Sequence, residues 1–207
     1  MNSRTQRLQA QGAAGAIEVL RDDPEHASEG VAFIAHPHPL FGGTMENKVV
    51  QTLARAFVQS GWSAVRFNFR GVGASAGTHD EGRGEAGDMR SLVAALAPEG
   101  PIALAGFSFG AFVTSGVLAS LWTSRDVRKV VLVGTAASRF SVSAIPPEAH
   151  ERTLVVHGEE DDTVPLQAVM DWARPQSLPV TVVPGGGHFF HGQLPLLKTL
   201  VARHLRS

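Results

Sequence analysis

The stretch Gly106-Phe107-Ser108-Phe109-Gly110 decides the fold, through what stands on either side of it. Before it, Pro101-Ile102-Ala103-Leu104-Ala105 is a short apolar run with the character of a buried strand. After it, Ala111 to Ala119 is small and apolar, as suits a helix packed on a sheet. A Gly-x-Ser-x-Gly between strand and helix makes a tight turn that leaves the serine hydroxyl standing at the strand's carboxyl end. Side chains at the two glycines would collide as the backbone reverses. In a chain with 22 glycines the pattern alone is weak, and a plain strand-to-helix turn could carry a serine too. The rest of the chain has to settle the matter.

Outward from this point, strands alternate with helical stretches. Strands are expected at Gly15 to Leu20, Val31 to Ala35, Trp62 to Phe69, Lys129 to Val133, Thr153 to His157 and Val180 to Val183. Helices are expected over Asn47 to Gln59, Glu85 to Leu96, Leu166 to Ala173 and Leu194 to Leu205. Continuous Val/Ile/Leu runs alternating with helices indicate an α/β fold, with a mostly parallel sheet covered on both faces. There is no internal repeat or linker, so residues 1–207 are read as one domain.

Composition narrows the function classes. A formal net charge of -1 gives no reason to expect nucleic acid or an anionic membrane as partner. The absence of cysteine removes disulfides, thiolate chemistry and cysteine-based metal sites. The amino-terminal residues lack a signal-peptide core and no apolar run approaches a membrane span, so a cytoplasmic enzyme is expected.

A nucleophilic serine needs a base, and the base needs an orienting acid, because a free hydroxyl hardly ionises at neutral pH. Candidates follow Ser108 in the order acid, then histidine. Asp161 lies just beyond the strand ending at His157, and His188 just beyond the last strand. Both therefore fall on the same sheet edge as Ser108, where active sites of open α/β sheets assemble. Either could be an ordinary loop residue, but their order and placement favour chemistry.

Here the chain resembles the α/β-hydrolase superfamily over nearly its whole length. His157-Gly158, Asp161 and Val164-Pro165 match the family's His-Gly-x-x-Asp-x-x-Val-Pro, which selects Asp161 over Asp162. Gly187-His188 matches its final Gly-His. Arg66 to Ser75 looks like its Arg-Phe-Asp-x-Arg-Gly-x-Gly-x-Ser loop, with Asn68 in place of the acid. More narrowly, His36-Pro37-His38-Pro39-Leu40-Phe41-Gly42-Gly43-Thr44-Met45-Glu46-Asn47-Lys48 and Gly187-His188-Phe189-Phe190-His191-Gly192 resemble a group of small lidless bacterial hydrolases.

The resemblance implies a Ser108-His188-Asp161 triad and an oxyanion hole with one N–H from Phe109. The second donor is Leu40, or His38 if His36-Pro37 is the matching pair; Pro37 and Pro39 have no N–H to offer. Glu85 and Asp88 are expected to be structural partners of Arg70. Only residues 134–152 separate two strands where relatives insert a lid, so the site is expected to be shallow, with Phe41, Phe140 and Phe189 against the substrate. The expected activity is cleavage of carboxylic esters with short acyl chains, without a cofactor. The expected partner is a small-molecule acyl substrate, and the chain is compatible with a homodimer. Thioester, amide or acyl-transfer chemistry on the same triad, and noncatalytic binding, are the alternatives. A metal held by His36, His38, His188 and His191 is a further alternative.

Overall fold

The computed structural model describes residues 5–206. Alternation along the strands builds its core. In β3 (Val31–Ala35), Ala32 and Ile34 face one side of the sheet while Phe33 and Ala35 face the other. β5 (Ile102–Phe107) does the same, with Ile102 and Leu104 against Ala103, Ala105 and Phe107. Because both faces need covering, the connecting helices divide between them. α1 (Lys48–Gln59) and α5 (Leu194–Arg206) cover the Ile34 face through Leu53, Phe57, Leu197 and Val201. α2 (Arg83–Leu96), α3 (Phe109–Leu121) and α4 (Leu166–Ala173) cover the Phe33 face through Met89, Leu92, Val117 and Val169. No helix among the described residues is long and apolar enough to cross a membrane.

The eight strands form one sheet in the order β1-β2-β4-β3-β5-β6-β7-β8. The remaining members are β1 (Gln6–Gly12), β2 (Gly15–Asp22), β4 (Ser63–Phe67), β6 (Val127–Val133), β7 (Thr153–Gly158) and β8 (Val180–Val183). β3 through β8 pair in parallel, while β2 joins β4 antiparallel and β1 folds back on β2. The chain thus has an α/β fold, with a mostly parallel sheet and helices on both faces.

The hairpin strand β1 is absent from the sequence reading. It is an edge strand whose Gln6, Arg7 and Gln9 are exposed, with only Leu8 and Ala10 turned toward the core. Two modest apolar residues are a faint period-2 signal. The strand expected over Trp62 to Phe69 ends at Phe67, and Asn68 and Phe69 lie in the loop that follows it.

Candidate active site

Ser108 joins β5 to α3 with φ 57° and ψ -116°, a strained conformation for a residue with a side chain. Two close approaches force it. A Cβ on Gly106 would lie 2.3 Å from the carbonyl oxygen of Gly110, and one on Gly110 would lie 2.4 Å from that of Ala35. The strand end and the first turn of the helix therefore pack backbone to backbone. The Ser108 N–H is anchored on Val133 of β6 at 2.8 Å. Its hydroxyl is left at the head of the sheet, beside the unpaired N–H groups that begin any helix.

His188, in the turn after β8, reaches Ser108 Oγ through Nε2 at 3.0 Å, and its Nδ1 lies 2.7 Å from Asp161 Oδ2. A carboxylate can only accept, so Nδ1 carries the proton and Nε2 is free to accept from the serine. The other Asp161 oxygen takes the N–H groups of Val164 at 2.7 Å and Thr163 at 2.9 Å. Burial of Asp161 opposes its charge, but the His188 contact and the Val164 N–H outweigh burial and hold the carboxyl below its ordinary pKa. The adjacent Asp162 is exposed and touches only the Thr163 hydroxyl. The structure thus brings together the three residues expected from the sequence.

The loop after β3 lies against the start of α3. His36 is fully buried; its Nε2 accepts the Phe69 N–H at 3.0 Å, so its Nδ1 donates to the Pro37 carbonyl at 2.6 Å. Burial drives its pKa down to about 4, and the imidazole stays neutral. Leu40, expected as the second donor, gives its N–H to His38 Nδ1 at 3.2 Å inside the short turn Pro39–Phe41, and the residue is 69% exposed and not among the walls around Ser108. His38 stands in that wall, its ring 4.9 Å from that of Phe109.

The four histidines of the metal alternative do not assemble. Both nitrogens of His36 and of His188 are engaged, and no three His, Cys, Asp or Glu side chains among the described residues are grouped to hold an ion.

The cleft over Ser108 measures about 320 Å³. Phe41, Phe140 and Phe189 all line it, as expected, together with Phe109 and His38. Behind it, Asn68 accepts the Met45 N–H at 2.9 Å and donates to Glu18 at 2.9 Å. An aspartate could not donate to Glu18, which accounts for the amide at this position. Asp88 grips Arg70 with two contacts of 2.9 Å, as anticipated. Glu85 does not. It takes the N–H groups of Asp80 at 3.0 Å and Gly82 at 2.9 Å, and meets His79 Nδ1 at 2.9 Å. Nothing in the sequence marks His79, because the turn at Glu81 and Gly82, both with positive φ, folds it back onto α2.

No family model matches the chain. Among solved structures, it superposes on a lidless α/β serine hydrolase from Xanthomonas campestris with a TM-score of 0.88 and 35% identity, covering 100% of this chain and 95% of that one. It superposes on an α/β serine hydrolase homologue from Coxiella burnetii with a TM-score of 0.83 and 38% identity, over 97% of each. An uncharacterized protein of Rickettsia prowazekii is 28% identical over 190 residues, 86% of this chain and 79% of that one.

Proposed function

The chain belongs to the α/β serine hydrolases, and from that premise we propose that it cleaves carboxylic esters of short acyl chain through an acyl-enzyme on Ser108. The observation that carries this reading is the continuous hydrogen-bonded line from Ser108 Oγ through His188 to Asp161. Ser108 attacks the acyl carbon as His188 Nε2 takes its proton, and Asp161 holds the imidazole in that tautomer and stabilises the imidazolium. The proton then passes to the departing alcohol. Water activated by His188 attacks the acyl-enzyme and releases the acid, restoring Ser108.

The oxyanion is best served by the N–H groups of Phe109 and His38. Phe109 opens α3 directly after the serine, and the contact of Gly110 with the end of β3 brings the His38 segment to the same point. Leu40 has spent its N–H elsewhere.

Short acyl groups fit a cleft whose aromatic walls are themselves partly in water, with Phe41 77% and Phe189 43% exposed. Each methylene gains about 0.8 kcal/mol only while it leaves water. A fluorophosphonate should label Ser108, read by mass spectrometry of the peptide. On p-nitrophenyl esters, kcat/KM should peak at acetyl or butyryl. An unlabelled Ser108 would favour a noncatalytic binding protein, and a maximum at twelve carbons would contradict the shallow cleft. Labelling without ester turnover would move the assignment to thioester, amide or acyl-transfer chemistry.

A further inference from the structure

The Ser108 cleft is walled mostly by rings and apolar groups, yet one wall is a cation. Arg139 lies in the segment between β6 and β7. It lines both the cleft and the shallow groove that continues outward past His38, Phe41 and Phe140. The arginines that carry a carboxylate partner are not among the cleft walls: Arg66 pairs with Asp22, Arg70 with Asp88, and even the exposed Arg83, Arg128 and Arg174 have acids beside them. Among the described residues, Arg139 has no carboxylate at ion-pairing distance. The cleft walls contain no acid, since Asp161 lies behind His188. Glu81 shares the outer groove with Arg139 but forms no ion pair with it.

The charge of Arg139 is felt beside the reacting centre. The His38 imidazole is held below its ordinary pKa by partial burial first, then by His79, with Arg139 adding to this and Glu85 opposing it. A guanidinium offers a planar fork of donors whose geometry matches a carboxylate or phosphate. Here that cation lines a cleft walled mostly by apolar groups, with no carboxylate among the described residues at ion-pairing distance.

We propose that Arg139 is a specificity-determining residue that recognises an anionic group, carboxylate or phosphate, carried by the ester some distance from the bond that Ser108 attacks. This rests on the ester-hydrolase reading above and names the substrate class of that same site. Because Arg139 is exposed, water screens the contact, and the preference it confers is several-fold and salt-sensitive.

Two pairs of esters test the idea on the intact protein, at low ionic strength and after subtracting spontaneous hydrolysis. Mono-p-nitrophenyl adipate against p-nitrophenyl hexanoate places the anion on the acyl side. 4-Acetoxybenzoate against 4-acetoxybenzamide places it on the alcohol side. In at least one pair, Arg139→Gln should lower the anionic-to-neutral ratio of kcat/KM about fivefold. Arg139→Lys should restore part of that ratio, and added salt should compress it in the unaltered protein. The responding pair then identifies the side on which the anion sits. If Arg139→Gln lowers both members equally, or neither, while neutral esters are still hydrolysed, the inference is wrong. If no ester is hydrolysed and fluorophosphonate leaves Ser108 unlabelled, the ester-hydrolase reading fails first and the role of Arg139 falls with it.

Discussion

Two acids near the cleft, Asp161 and Glu85, each hydrogen-bond to an imidazole, and the two pairs are set up differently. Asp161 meets His188 Nδ1 at 2.7 Å, and Glu85 meets His79 Nδ1 at 2.9 Å; both acids are buried. The difference lies beyond the imidazole. The second nitrogen of His188 faces Ser108 Oγ, whereas the His79 ring packs on His38 at 4.8 Å and Phe109 at 5.4 Å. The acids differ too. Asp161 gives one oxygen to its own loop and the other to the histidine. Glu85 gives both to backbone N–H groups at the start of α2, and the histidine shares one of them. A carboxylate beside an imidazole is therefore not enough for a base. A hydroxyl must be held at the far nitrogen, and the strained Ser108 turn holds its Oγ 3.0 Å from His188 Nε2.

The largest expected effect separates the two pairs by mutation. Ser108→Ala should reduce turnover of p-nitrophenyl acetate to background, and His188→Gln should lose nearly as much, since such residues act as a unit. Asp161→Asn should cost about 10⁴-fold through the wrong tautomer. His79→Gln and Glu85→Gln should each cost roughly tenfold or less, because they only support the His38 segment. Glu85→Gln should also lower stability by about 1–3 kcal/mol, measured by urea unfolding, as buried N–H groups lose an acceptor. Equal collapse in His79→Gln and His188→Gln would erase the distinction.

A smaller effect tests the packing between the pairs. His36 has a folded pKa of about 4, below its unfolded value, so the unfolded chain binds the extra proton first as pH falls. Stability should therefore be full above about pH 6.5 and decline toward pH 4, by roughly 3 kcal/mol for His36 alone. His204, also lowered to about 4, should add to the same slope. Asp161 behaves oppositely in placement: its depressed pKa adds stability that is lost only as pH drops below about 4. Unfolding midpoints across pH 4 to 7 read the difference, and a flat profile there would contradict the neutral, buried state of His36.

The smallest effect concerns the neighbour of the catalytic candidate. Asp162→Asn should change kcat/KM by no more than about twofold, because its carboxylate is solvated and remote from His188. A loss comparable to that of Asp161→Asn would reverse the assignment drawn from spacing.

Ser108, Asp161 and His188 were legible because each follows a strand of the parallel set, and parallel strands deliver their carboxyl ends to one edge. The second oxyanion donor was not. Leu40 and His38 are two residues apart, and the choice turns on a hydrogen bond from the Leu40 N–H to the His38 ring, which no spacing rule encodes. The partner of Glu85 was hidden for a similar reason, since Arg70 lies on the same side and only the turn at Glu81 and Gly82 delivers His79 instead.

What the sequence by itself determined is the α/β alternation, the Gly-Ser-Gly turn and the order of the three residues that meet at it. These depend on periodicity and on backbone room at glycine, which are local properties. Only the tertiary structure decided which imidazole faces the serine, that the Leu40 N–H goes to the His38 ring, and that Arg139 lines the cleft with no ion pair among the described residues. Those outcomes depend on hydrogen-bond partners and charges brought together from distant loops, and a side chain's type does not reveal which partner will reach it first.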